Sequence, residues 1–261
     1  MDSRRSDRRP ARVSLDSVTK PRRLSDEIEF PDGATRHPGR HVVVDAVLRR
    51  AGEAVPVVVK KTLKSLPERL FGSRSDRALE AARELIARGL PTPEPIGVDD
   101  LGGETWYVCR KVEGASQVRD WFLERDGRGF PPPRVPVPFP QLVAALGILA
   151  RRMHDAGVFY RDFSDGNVLV TAEGGAPRFW LVDLTRARFF PGPAGALPRL
   201  RDLSRLGLNR AEDRKLLLAG YFGSAAVPAW FETSLSALRA RILLWDDWKD
   251  RLRPWKWSRR R

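Results

Sequence analysis

Four side chains, met in chain order, have the types that phosphoryl transfer requires. They are Lys60 at the end of the apolar run "VPVVVK", Asp162 and, five positions on, Asn167 in "YRDFSDGNVLV", and Asp183 closing "FWLVDL". A lysine ammonium can neutralise phosphate oxygens, and amide and carboxylate oxygens can hold a hard divalent cation against them. A remaining carboxylate can orient an acceptor hydroxyl. On this reading Lys60 holds a nucleotide, Asp162 is the catalytic base, and Asn167 and Asp183 are the metal ligands. Each also has a plainer account. Asp and Asn beside a strand suit a solvated turn, and Lys60 suits an edge strand, with Lys61 next to it as a rival. Strand alternation separates the two lysines only weakly, since Val58 shares the face of Lys60 while Val57 and Val59 share that of Lys61.

The elements that must position these residues can be read from pattern. "HVVVDAVLRRAGEAVPVVVKK" (41–61) is two β-branched runs around a turn containing Gly52, a hairpin signal that places Lys60 at a strand end. The preceding "PDGATRHPGR" (31–40) reads as the turn of a three-stranded meander, where Gly33 and Gly39 would let backbone approach a ligand. A helix follows. Ser73 and Asp76 fit a capping box, Ala78, Ala82, Leu85 and Ile86 make an apolar face, Gly89 can end the helix, and Pro91 prevents its continuation. "TWYVCRKVEG" gives one more strand, ending in a turn at Gly114, and the proline-rich stretch 126–140 reads as an extended loop.

Leu142, Leu146, Leu149 and Met153 recur at helical spacing, so a core helix runs directly into "YRDFSDGN". "NVLV" and "FWLVDL" read as short buried strands, followed by helices at about 200–206, 211–222 and 233–252. A β-rich half followed by a helical half predicts an α+β chain of two lobes with a cleft between them. The implied divisions are a disordered basic extension (1–27), a lobe of antiparallel sheet plus one helix (28–114), a mainly helical lobe (115–232), and a C-terminal amphipathic helix with a basic Trp-rich tail (233–261).

Composition narrows the function classes. With 261 residues and 42% hydrophobic content, the chain can bury a substantial core. The single cysteine, Cys109, cannot form an internal disulfide and reads as a small buried hydrophobe. The charged N-terminus lacks the apolar run of a secretory signal, and no stretch is apolar over the length of a membrane span, so a reducing, cytoplasmic setting is expected. His154 reads as a packed structural histidine, and His37 and His41 lack the partners of a zinc site. The net charge of +14 is uneven, because residues 249–261 hold seven Lys/Arg against one Asp. An anionic surface would therefore meet the tail rather than the body. Leu235, Leu238, Ile242, Trp245 and Leu252 form a stripe there, with Trp248, Trp255 and Trp257 among cations. This composition suits an interfacial membrane helix and equally a helix packed on the second lobe; nucleic acid is the lesser expectation.

"VVVK", "YRDFSDGNVLV" and "VDL" resemble the strand lysine, catalytic loop and metal-binding element of the protein-kinase-like superfamily. Within it, "VVVKKTLKSL", "ARGLPTPEPIGV", "HDAGVFYRDFSDGNVLV" and "LVDLTRARF" are most similar to the bacterial lipopolysaccharide kinase family that phosphorylates Kdo or heptose, over about residues 40–222. The resemblance implies the two-lobed kinase-like fold, ATP and Mg²⁺ as cofactors, and a sugar hydroxyl of a glycolipid as acceptor. It also implies a helix glutamate paired with Lys60, Glu80 first and Glu84 second, a phosphate-covering loop at Gly33 and Gly39, and adenine held along Arg110, Lys111 and Val112. Two departures stand out: Tyr160 replaces the usual catalytic-loop His, and Leu184–Thr185 replace Phe–Gly after the metal Asp. Only "LTRARFFPGPAGALP" separates Asp183 from the next helix, too short for a peptide platform, which favours a small acceptor and, through the tail, the cytoplasmic face of a membrane. The rival readings are a small RIO-like protein kinase and a pseudokinase that only binds.

Overall fold

The computed structural model describes residues 23–37, 42–65, 73–127, 133–223 and 225–251. Gly39, Leu252, Trp255 and Trp257 lie outside these, as does all but the end of the N-terminal extension.

The first lobe is an antiparallel sheet in the order β1-β3-β4-β6-β5, with β2 on β3. Its strands are β1 (Ile28–Glu29), β2 (Arg36–His37), β3 (Val42–Arg50), β4 (Glu53–Leu63), β5 (Pro95–Asp100) and β6 (Glu104–Arg110). The β3–β4 hairpin closes on the pair Arg50↔Glu53. Its two loop residues, Ala51 and Gly52, both have positive φ, 52° and 83°, as the tightest hairpin turns require. The register sets Val43 opposite Lys60, and Lys60 opposite Tyr107. One sheet face therefore buries Ala46, Leu48, Val57, Val59 and Val108 beneath Ile28 and Trp106.

Strand β5 has no counterpart in the sequence pattern. "PIGVDD" alternates only Ile96 and Val98 and surrounds them with Pro, Gly and Asp, which strands disfavour; the free edge of β6 supplies the ladder. Residues Leu24–Glu27, assigned by composition to the disordered extension, form a 3-10 turn. The Ser25 N–H donates to Asp99 on β5 at 2.7 Å, and Leu24 packs on the sheet core.

Helix α1 (Arg74–Ala87) starts at the expected capping box, with the Asp76 N–H donating to Ser73 Oγ and the Ser73 N–H to Asp76, each at 3.1 Å. Its buried residues are Ser75, Ala78, Ala81, Ala82 and Leu85. Ile86, expected on that face, is exposed. Ala81, Ala82 and Leu85 join the core of the second lobe, so α1 couples the two lobes.

The second lobe holds α2 (Val118–Arg125), α3 (Phe139–Asp155), α4 (Ala196–Arg205), α5 (Ala211–Phe222) and α6 (Ala229–Arg251). Between them lie two small antiparallel sheets. β7 (Ser116–Gln117), β9 (Val168–Glu173) and β10 (Ala176–Leu181) form one, and β8 (Val158–Tyr160) with β11 (Ala187–Phe189) forms the other. The predicted stripe on α3 is buried, with Leu142, Leu146 and Met153 at 0% exposure; each such side chain contributes roughly 1.5–3 kcal/mol. α3 crosses α5 backbone against backbone. A Cβ on Gly220 would lie 1.9 Å from the Ala144 carbonyl oxygen, and one on Gly147 2.2 Å from that of Leu217.

α6 divides into two parts. Phe231 and Leu235 are buried on the second lobe and Leu238 is partly so, whereas Leu243, Leu244, Trp245 and Trp248 are exposed. Trp245 therefore leaves the stripe on which sequence spacing set it.

Candidate active site

Between the lobes lies a cavity of about 760 Å³ into which Lys60, Asp162, Asn167 and Asp183 all project. β4 delivers Lys60, and the sheet register decides between the two lysines. Lys60 Nζ meets Asp183 Oδ1 at 2.6 Å. Lys61, on the opposite face, lies 4.1 Å from the ring centroids of both Phe30 and Trp106.

The five-residue spacing from Asp162 to Asn167 is that of a loop folding back on itself. The Ser164 N–H donates to the Asp162 carbonyl at 2.7 Å, the Asn167 N–H to the Ser164 carbonyl at 2.9 Å, and the Asn167 side-chain amide to the Asp162 carbonyl at 2.8 Å. That last bond fixes the amide nitrogen and leaves the Asn167 side-chain oxygen for a ligand. The Val182 N–H then donates to the Asn167 carbonyl at 3.0 Å, joining the loop to the chain before Asp183. Asp183 lies two residues past β10 and is left-handed, with φ 61° and ψ 53°. Apart from Ala51, it alone among the described non-glycine residues has positive φ, a conformation that surrounding structure must impose.

Asn167 and Asp183 offer hard oxygen donors of the kind Mg²⁺ takes, and both line the cavity. Among the described residues no three His, Cys, Asp or Glu side chains converge on one point.

Tyr160 is 1% exposed, and burial holds its phenol protonated, well above the ordinary value. Its hydroxyl donates to the Val182 carbonyl, and its N–H to Asp202 at 2.8 Å. Asp202 also faces His154 Nε2 at 3.3 Å, and His154 Nδ1 meets the Tyr221 hydroxyl at 2.9 Å, so His154 is the packed structural residue expected. Burial raises the pKa of Asp202 and lowers that of His154, in both cases disfavouring the charged form. Burial likewise pushes the Cys109 thiol up to about 12, which leaves it an inert hydrophobe.

Other expectations about the site are corrected. Glu80 is exposed and does not line the cavity. It sits two residues past the buried Ala78, about 200° around the helix, so it turns away from the cleft. Glu84 pairs instead with Arg88 at 2.7 Å. The carboxylate on Lys60 is Asp183, and α1 presents Arg74, Ser75, Arg77 and Ala78 to the cleft. Gly33 occupies a turn before β2 and does not line the cavity. Arg110 is paired with Glu94 at 3.0 Å and Lys111 with Asp45 at 2.7 Å. Their N–H groups donate to the Glu94 and Pro56 carbonyls, while the Val112 N–H donates to none of the described residues. None of these three lines the cavity.

Sequence reasoning missed the two guanidinium groups on Asp162. Arg186 Nη1 lies 3.0 Å and Arg205 Nη2 3.6 Å from Asp162 Oδ1. Arg186 falls within the quoted "LTRARF", whereas nothing local marks Arg205, which arrives from the end of α4.

The sequence model of the Lipopolysaccharide kinase (Kdo/WaaP) family matches residues 53–210, a span that runs from β4 to the start of α5. The chain is 24% identical over 150 residues to the 3-deoxy-D-manno-octulosonic acid kinase of Mannheimia succiniciproducens, covering 55% of this chain and 58% of that relative's length. A solved structure of WaaP in complex with acyl carrier protein shares the fold, with a TM-score of 0.51 at 20% identity over 78% of this chain and 88% of that one.

Proposed function

Because the chain belongs to the lipopolysaccharide kinase (Kdo/WaaP) family, we propose that it transfers the γ-phosphate of ATP to a sugar hydroxyl of the lipopolysaccharide core, Kdo foremost. The observation that carries this reading is the Lys60–Asp183 pair, at 2.6 Å, sharing one cavity with Asp162 and Asn167.

In that cavity Asp162 aligns the acceptor hydroxyl and takes its proton as the oxygen attacks the γ-phosphorus. The bond from that phosphorus to the β,γ-bridging oxygen breaks and ADP departs. Lys60 moves from Asp183 to phosphate oxygens, and Asp183 with Asn167 would hold Mg²⁺, which supplies charge neutralisation there. Lobe closure positions the reactants and excludes water.

The outer half of α6 supports a second element of the reading, contact with the cytoplasmic face of an anionic membrane. Leu243, Leu244, Trp245 and Trp248 are exposed just before the strongly basic tail, a composition suited to the headgroup boundary. No helix among the described residues is long and apolar enough to cross a membrane.

The deciding experiment incubates the purified chain with Mg²⁺ and labelled ATP, offering either a Kdo-bearing lipid A precursor or a general protein acceptor. Label on the sugar is expected. Label on protein alone, or Mg·ATP bound without any transfer, would replace this reading with a protein kinase or a binding module.

A further inference from the structure

Two guanidinium groups converge on the carboxylate that the proposed reaction needs to reach. Arg186 comes from the turn after Asp183 and Arg205 from the last residue of α4, and both address the same atom, Asp162 Oδ1, at 3.0 and 3.6 Å. Their side chains are 49% and 48% exposed, against 19% for Asp162. Neither arginine has a second acceptor among the described residues. Each fork carries five N–H donors and a single carboxylate oxygen occupies few of them, so most face the solvent beside the base.

This placement differs from that of the nucleotide lysine. Lys60 engages Asp183, while the arginine pair meets the carboxylate that an acceptor hydroxyl must approach. Guanidinium forks match the planar or tetrahedral oxygens of carboxylate and phosphate. An anion bonded to both arginines would lie beside Asp162, close to the hydroxyl that this carboxylate aligns.

We propose that Arg186 and Arg205 form an acceptor subsite for an anionic substituent, a carboxylate or a phosphate, carried by the sugar beside the hydroxyl that is phosphorylated. The inference rests on Asp162 being the residue that aligns that hydroxyl. An anionic acceptor shares the two forks with Asp162 and is oriented by them. A neutral acceptor has no partner there and leaves both arginines on the base. Arg186 and Arg205 are thus specificity residues, selecting acidic or phosphorylated sugars over neutral ones of the same shape.

The test measures binding separately from transfer. Free Kdo, its methyl ester and a phosphorylated, carboxylate-free heptose are titrated calorimetrically into the full chain with Mg²⁺ and a non-hydrolysable ATP analogue. The same three acceptors are assayed for turnover. Wild-type protein should bind the acid ~10- to 100-fold more tightly than the ester. Arg186→Gln and Arg205→Gln should remove that preference while the affinity for the ATP analogue stays within threefold, and Arg205→Lys should restore part of it. Tight, arginine-dependent binding of the phosphorylated heptose would identify phosphate as an accepted source of the charge. Equal binding of acid and ester by the wild type together with no arginine-dependent binding of the phosphorylated heptose, or an equal loss for all three acceptors in the variants, overturns the subsite even if turnover is seen. Charge-dependent binding without turnover upholds the subsite and refutes the kinase reading instead.

Discussion

The hydroxyl of Tyr160 donates to the carbonyl of Val182, the residue before Asp183. Through its N–H, held by Asp202 at 2.8 Å, the same tyrosine anchors the start of the catalytic loop to α4. The residue standing in place of the usual His thus binds the two halves of the site to the buried second lobe. Tyr160→Phe fills the same volume but leaves the Val182 carbonyl without its donor. A stability loss of about 1–3 kcal/mol is expected, with kcat reduced up to ~100-fold by displacement of Asp183 and the fold retained by circular dichroism. Unchanged melting temperature and turnover would show that the hydroxyl does not hold the segment.

Asp162→Asn keeps the shape of the side chain and removes the proton acceptor. Transfer should fall about 10²- to 10⁴-fold while Mg·ATP binding by calorimetry is preserved. Intact transfer would remove Asp162 from its role.

The two adjacent lysines should separate cleanly. Lys60→Met should weaken ATP binding at least tenfold, because it removes the cation beside Asp183. Lys61→Met should leave ATP binding alone and cost about 0.5–2 kcal/mol of stability through the Phe30 and Trp106 rings. Nucleotide titrations and denaturant melts on both variants decide the assignment; reversed effects would exchange the lysines.

The crossing of α3 and α5 depends on glycine. Gly220→Ala forces a methyl group into the Ala144 backbone, and an expected cost of about 1–3 kcal/mol or more should appear as a lower melting temperature. Gly192→Ala meets nothing within 4 Å and should stay within about 0.5 kcal/mol of the wild type.

Acidification should destabilise the fold through His154. Burial holds its pKa below the ordinary 6.5, so as pH falls through 6.5 the unfolded chain takes up a proton that the folded chain refuses. The stability present above 6.5 is then lost, by at most about 1.4 kcal/mol per pH unit, down to the lower folded value. Asp202 acts with the opposite sign: raised above its ordinary 3.8, its contribution is complete below 3.8 and is lost as pH rises through the folded value. Melting temperatures from pH 7.5 to 5.5 should fall in the wild type and flatten in His154→Gln. Parallel slopes would remove His154 as the cause.

Several features are legible in the sequence because each is written in neighbouring residues. The Ser73–Asp76 capping box, the α3 stripe and the loop geometry implied by Asp162 and Asn167 are local, set by helical period and short hydrogen bonds. So is the order Lys60, Asp162, Asn167, Asp183, which by itself points to phosphoryl transfer as the chemistry.

Tertiary structure decided the pairings. Lys60 meets Asp183 across 123 positions rather than Glu80 on the next helix, because sheet register and the rotation of α1 are settled by which faces bury. It decided that β5 is a strand, since an unpaired edge overrode a poor strand sequence, and that α6 packs along only half its length. It also brought Arg205 to Asp162. A long charged side chain carries no local pattern to show where its head will rest, and only packing of α4 under the catalytic loop fixes that position.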